Sequence, residues 1–348
     1  MDFAGLVGKF KVDRPLSADE RRHHLRQQER ISIEPHYQLS VIAMNSTYLE
    51  LVDKWYGEKG TTTGVTLTML VLFGVGIGGS ALWMLSKGIL APPGTENAGA
   101  YIASALALLA MLLPFEWILW RLLRTESFAY THYPLRFNRK TRKVHVFRPN
   151  GKVMTVSWDS IFFTLSQVDP LHKFWNILGH ILDEDGNTVR ETFALSVSEV
   201  GTPTGLLLMR SHWEFVRRYM EDGPAAVGAA IQFCLPISNR RETFLLGLHR
   251  LFANSGVPNW LLPIRIFLMA VAVVQAPFRF FAMRTSKIPE WPEDVELASE
   301  VKPADPYAII GDNKGERVPV YPAAAEAVGF RFTGPPAHPL SQQTPGSR

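Results

Sequence analysis

The chain has 348 residues, a formal net charge of +4 and one cysteine, Cys234. A single thiol excludes an intramolecular disulfide, and nothing points to an oxidising compartment. So small a charge excess makes its distribution more informative than its sum, and the mean hydropathy of +0.02 averages two hydrocarbon-compatible stretches with a polar remainder.

The first residues, MDFAGLVGKFKVDRPLSADERRHH, lack an apolar core of signal-peptide length, so no cleaved signal is expected. Asn45-Ser46-Thr47 reads as the cap of a short helix, TYLELVDKWYG, leading toward the first apolar run. That run is Val65 to Leu85 and the second is Ala98 to Leu123. A bilayer core of about 30 Å needs about 20 apolar residues in a helix, and both runs meet that length. Between them lies a short loop with Pro92-Pro93-Gly94-Thr95. Lys54 and Lys59 precede the pair, and Arg121, Arg124, Arg136, Arg139, Lys140, Arg142 and Lys143 end or follow it. The positive-inside rule then places both termini in the cytoplasm and the loop outside.

Gly74, Gly76, Gly78 and Gly79 spell GVGIGG, a formal match to a dinucleotide fingerprint. The context is wrong, since a true fingerprint follows a strand and opens a helix at water. Small-residue packing explains them instead, with Gly74, Gly78 and Ser80 facing Ala103 and Ala107 of the second run, within the hairpin or across a homo-oligomer. Glu116 falls inside the second run beside Trp117, Trp120 and Arg121, which reads as a shallow carboxylate reaching the interface.

From Phe128 the pattern changes to short strands. PLRFN, VHVFR and VMTVSW form a meander with Pro149-Asn150-Gly151 as a turn, and SIFFTLSQ is a fourth strand. Residues 176–182 and 188–195 make a further hairpin around Asp183-Glu184-Asp185-Gly186-Asn187. A helix over 204–221 carries Leu206, Met209, Trp213, Val216 and Met220 on one stripe. Strands closed by one amphipathic helix suggest a small barrel or sandwich of the pleckstrin-homology-like kind. Arg136, Arg139, Lys140, Arg142, Lys143, Arg148 and Lys152 lie in a stretch with no acidic residue, so this hairpin is a candidate contact for anionic lipid of the inner leaflet. Nucleic acid is not expected, because the patch lacks an aromatic stacking platform.

Arg240 to Asn254 reads as an amphipathic helix. In the stretch from Trp260 to Met283, the uninterrupted apolar part, Ile266 to Val274, is too short to span. A helix in the cytoplasmic interface or a re-entrant piece is favoured, with a third span as the alternative. Beyond Lys302 prolines recur with small residues, and the last stretch, TGPPAHPLSQQTPGSR, is expected to be disordered.

Catalytic motifs such as G-x-S-x-G, H-E-x-x-H and Walker A are absent. His23-His24 lacks a third ligand, His132, His145, His172 and His180 have no ligand spacing, and the acidic turn at 183–187 has Ala194 where a calcium loop needs its bidentate Glu. Cys234 reads as a buried inert thiol. No enzyme activity, cofactor or metal is expected.

The stretches NSTYLELVDKWYG, PLRFNRKTRKVHVFRPNGKVMTVSWD and MRTSKIPEWPEDVE, together with the two-span hairpin, resemble an uncharacterised family of bacterial inner-membrane proteins encoded beside type VI secretion genes. The resemblance covers Ile31 to Glu296. Its most specific pieces are Asn45 to Glu50 and Ile288 to Pro292. It implies an inner-membrane location in a Gram-negative cell, a type VI effector or another protein as partner, and immunity or effector handling as the role. A membrane-anchored sensor or scaffold is the alternative. The expected architecture is an α+β membrane protein: a cytoplasmic N-terminal segment (1–60), a transmembrane helical hairpin (61–124), a β-rich domain with a capping helix (125–223), amphipathic and interfacial helices (224–297) and a disordered tail (298–348).

Overall fold

The computed structural model describes residues 10–169, 174–254 and 262–311. The expectations for the first nine residues, for His172, for Trp260 and for the tail from 312 onward fall outside them. The chain is a mixed α+β protein that divides into two compact units. The first comprises residues 1–57, 131–265 and 288–348, and the second 58–130 and 266–287.

Among the described residues of the first unit, eleven strands form two antiparallel sheets. In chain order they are β1 (Arg14–Pro15), β2 (His24–Leu25), β3 (Val41–Met44), β4 (Tyr48–Leu51), β5 (Leu135–Asn138), β6 (Lys143–Phe147), β7 (Val153–Ser157), β8 (Ile161–Asp169), β9 (Phe174–Leu182), β10 (Thr188–Val200) and β11 (Ile309–Ile310). One sheet runs β1-β10-β9-β8-β2, the other β11-β3-β4-β5-β6-β7. Leu49, Leu135, Phe137 and Val146 of one sheet share a core with Phe163, Ile177, Phe193 and Leu195 of the other. The expected meander is present as β5–β7, and the acidic turn joins β9 to β10.

The helix expected after Asn45 is instead strand β4. The Asn45 carboxamide accepts from the backbone N–H of Thr47 and Tyr48, both at 2.8 Å, which closes a tight β3–β4 turn. The same side-chain chemistry that caps a helix makes an Asx turn, and pairing of Tyr48–Leu51 with β5 decides between them. The N-terminal segment also supplies edge strands: β1 pairs with β10 and β2 with β8. Between β1 and β2 lies α1 (Ala18–Arg22), opened by a Ser17–Glu20 capping box.

The helix expected near 204–221 is α5 (Pro203–Glu221) in the α1–α8 series, capped by the Thr202 hydroxyl accepting from Gly205 N–H. It buries Met209, Trp213, Val216 and Met220, and Trp213 stacks on Trp158 with ring centroids 5.8 Å apart. Burial of each such side chain contributes about 1.5–3 kcal/mol. The short helix α6 (Phe244–Asn254) buries Leu246 and Leu251 in the same unit.

The second unit holds α2 (Thr61–Phe73), a π turn (Gly74–Gly78), α3 (Gly79–Ile89) and α4 (Ala98–Glu126). The helix α7 (Leu262–Thr285) contributes its residues from 266 onward, and α8 (Glu293–Ala298) lies back in the first unit. Among the described residues, three helical stretches, Thr61–Ile89, Ala98–Glu126 and Leu262–Thr285, are long and apolar enough to cross a membrane. The third corrects the sequence reading of 260–283, because the helix does not stop at its prolines. Pro263 sits at its second residue, where a missing N–H costs nothing, and Pro277 is carried inside it. Length alone therefore no longer excludes a span.

Candidate functional site

Seven cations on and around β5–β7 were the expected lipid contact, and three of them are paired with carboxylates. Arg136, on β5, is only 4% exposed. Its guanidinium pairs with Glu50 at 2.7 Å and Glu296 at 3.2 Å, and lies over the rings of Tyr48 and Trp291 at 4.4 and 4.7 Å. This removes Arg136 from the lipid-contact set, since burial leaves it no route to a headgroup. Arg142 is shared between Asp159 and Glu221, which hold its guanidinium still more firmly protonated. Arg148 pairs with Glu191 at 2.7 Å. Arg139 is half-buried beside Gly223, whereas Lys140, Lys143 and Lys152 are exposed.

Arg136 also fastens a C-terminal strap. Trp291 meets His145 and Phe147 edge-on and donates from its indole N–H to Glu50 at 3.2 Å. Further along, the Asn138 side chain donates to the Ala298 carbonyl, and Ser46 donates through both its backbone N–H and its hydroxyl to Asp305, each at 2.8 Å. Strand β11 then pairs with β3. Segments 45–50 and 288–292, far apart in sequence, thus meet on one sheet. Burial, then Arg136 and Lys143, push His145 down to about 4.

A carboxylate–imidazole–hydroxyl line lies across the other sheet. Glu20 is 3.2 Å from His180 Nε2, and His180 Nδ1 is 2.8 Å from the Thr192 hydroxyl. Arg14 engages the same carboxylate at 2.6 Å. Thr192 is only 3% exposed, so this line fastens α1 to the sheet. Among the described residues no three His, Cys, Asp or Glu side chains gather as a metal set. Cys234 is buried, and burial pushes its thiol up to about 12.

His212, on α5, is fully buried, and that burial pushes it down to about 4. Between its ordinary value near 6.5 and pH 4 the unfolded chain binds more protons than the folded one, so stability falls as pH falls through that window. His212→Leu is expected to flatten this loss by about 3 kcal/mol between pH 7 and pH 4, measured by chemical unfolding of the detergent-solubilised chain. An unchanged slope refutes the assignment.

In the second unit the small residues divide differently from the expectation. A Cβ on Gly78 would lie 3.3 Å from Leu112, and one on Gly88 would lie 2.5 Å from Ile102, so these two glycines make the close approach between helices. From α4 it is Ala105 that is buried, while Ala103 and Ala107 face outward. Ser80 is also exposed and donates to its own helix at Gly76 O, and Gly74 faces Glu116. The inward stripe of α4 is Ala105, Leu112, Leu119 and Leu123.

A polar knot closes the base of this pair. Glu126, the last residue of α4, accepts from Gly60 N–H at 2.8 Å and Thr63 N–H at 2.6 Å, so a carboxylate caps the positive end of α2. The Lys59 ammonium donates to the Glu126 and Tyr130 carbonyls, and Arg279 donates to the Lys59 carbonyl at 3.1 Å.

Residues 112–303 match the model of a family described as a family of unknown function, DUF6708. No curated protein matches the chain. No solved structure matches it either.

Proposed function

We propose that this chain, which belongs to the DUF6708 family, is a non-enzymatic inner-membrane protein that binds a protein partner on the cytoplasmic side, in immunity to or handling of a type VI secretion effector. The observation that carries the membrane-platform part is where the apolar pair is inserted. Strands β4 and β5 are direct neighbours, with Leu51 opposite Leu135, and α2, α3 and α4 lie in the chain between them. The pair therefore leaves from and returns to one sheet, as a hairpin crossing the bilayer twice requires. Four consecutive strands β4–β7, three strands β8–β10 and the closing helix α5 support a pleckstrin-homology-like body. The type VI link comes with the resemblance in Asn45–Glu50 and Ile288–Pro292.

The reading of α7 as an interfacial helix rests on its exposed apolar side chains. Ile266, Phe267, Val273 and Val274 are exposed on it, an apolar surface that a membrane interface covers. The lipid-sensing alternative is weaker, since Arg136, Arg142 and Arg148 already have carboxylate partners.

The test has two arms. Alkaline phosphatase fused after Gly94 is expected to be active, and fusions after Asn254 and Gly311 inactive; activity after only one of the latter two means α7 crosses. A deletion strain mixed with its type VI-active parent is expected either to be killed or to lose killing of a sensitive target. Wild-type behaviour in both assays refutes the type VI role.

A further inference from the structure

Among the described residues, the two sheets end in four outermost strands, and β1, β2 and β11 have only two residues each. The fourth, β7, has five. Its register fixes which main-chain groups face away from the sheet. At the two ends of the β6–β7 pair, Arg148 N–H donates to Lys152 O at 2.9 Å and Trp158 N–H to Arg142 O at 2.8 Å. Hydrogen-bonded pairs alternate along an antiparallel ladder. Val144 with Val156 and Val146 with Met154 are therefore the bonded pairs between those ends, and the N–H and C=O of Val153, Thr155 and Ser157 point outward. The Ser157 carbonyl accepts from the Ser160 hydroxyl at 2.9 Å. Among the described residues nothing else bonds to this outward row, and Thr155 and Ser157 are exposed.

The side chains beside the row are apolar on one face and basic at both ends. Met154 and Val156 are half-buried and pack against the core shared by the two sheets. On the other face the Thr155 hydroxyl is 2.9 Å from His145 Nδ1. Lys152 precedes the strand, and Lys143 stands opposite Ser157 on β6. Both lysines are exposed and have no carboxylate partner among the described residues. Acids nearby are already engaged, Asp159 and Glu221 by Arg142, and Glu191 by Arg148.

We propose that β7 is the docking edge for the protein partner, which adds an extended acidic segment to the sheet as an antiparallel strand. The proposal rests on the reading of a cytoplasmic protein partner above, and names the surface and chemistry of that contact. Main-chain bonds to Val153, Thr155 and Ser157 would supply the affinity, and side chains at alternate positions the specificity. Apolar residues opposite Met154 and Val156 extend the apolar face. Lys152 and Ser157 are five residue steps, about 17 Å, apart along the strand. Carboxylates near both ends of the added strand therefore reach Lys152 and Lys143. A second copy of this chain is the poorer occupant, because it brings the same lysines to the contact, and edge lysines oppose self-pairing.

The probe is a fluorescein-labelled peptide, Glu-Thr-Val-Thr-Val-Thr-Glu, titrated with the full-length protein in detergent and read by anisotropy. Set antiparallel with its valines opposite Val156 and Met154, it turns its threonine amides toward β7 and its valine amides away. N-methylation of the central threonine is expected to abolish binding, and N-methylation of a valine to preserve it. Lys143→Glu with Lys152→Glu, at two exposed positions, is expected to weaken the acidic peptide at least tenfold and to bind a lysine-ended version that the wild type does not. No binding of the acidic peptide, equal binding of the two N-methylated peptides, or unchanged affinity of the charge-reversed variant overturns strand addition. A disulfide-linked dimer of Thr155→Cys in detergent gives the edge to a second copy and overturns it as well. These outcomes are read on purified protein. A deletion strain that behaves as wild type therefore refutes the type VI role and leaves the edge assignment standing, and failure of the peptide leaves the strain result standing.

Discussion

Arg136→Met is expected to destabilise the chain by about 3–5 kcal/mol, because it leaves the Glu50 carboxylate buried without its cation. Glu50 is 5% exposed, and its remaining donor would be the Trp291 indole N–H at 3.2 Å. The guanidinium also sits between the rings of Tyr48 and Trp291, a contact each worth about 0.5–2 kcal/mol that methionine replaces only in part. The same substitution made together with Glu50→Gln should recover most of the loss, since the charge that could not be solvated is gone. Glu296→Gln is the contrast: its side chain is 55% exposed, and the pair it forms is worth about 0–1 kcal/mol. Chemical unfolding in detergent, followed by tryptophan fluorescence, measures all three. Equal losses for the single and double variants at Arg136 would mean that lost packing and not an orphaned charge sets the cost. Protease nicking between 288 and 305 should rise in both variants that lack the Arg136 side chain, because Trp291 and Glu296 hold the strap to it.

Arg136 also shows where sequence reading stops. In the chain it belongs to a run of cations with no acid nearby, which is how a lipid patch looks. Its partners Glu50 and Glu296 are remote in sequence, and only the β4–β5 register, with Glu50 opposite Arg136, reveals the first of them. By contrast, strands β5 to β7 were legible because Pro149-Asn150-Gly151 fixes the turn and β-branched residues alternate around it. Helix α5 was legible because its apolar residues keep one phase. The phase of α4 was not: a helix that is apolar on every side gives no period, so Ala103 and Ala107 could not be told from Ala105. The two-residue strands β1, β2 and β11 are too short to carry any alternation.

Gly60→Ala is expected to cost about 3–5 kcal/mol, and Gly94→Ala about 1 kcal/mol, although the two backbones are nearly alike. Gly60 has φ +101° and Gly94 has φ +92°, both in the left-handed region where a side chain is strained. Nothing lies within 4 Å of a Cβ on Gly94. At Gly60 that atom would stand 2.5 Å from the Cα of Arg279 and 2.7 Å from its N. Backbone cannot rotate out of the way, so α7 would have to shift against the start of α2. The shift acts on the whole polar knot, because Gly60 N–H is held by Glu126 and the Arg279 guanidinium is held by the Lys59 carbonyl. The one clash therefore strains the cap of α2 and the attachment of α7 together. Thermal unfolding of both variants in the same micelles, followed by far-UV circular dichroism, separates strain from contact. Equal losses would show that α7 is not seated against Gly60, and with it would go the anchoring of that helix at the base of the apolar pair.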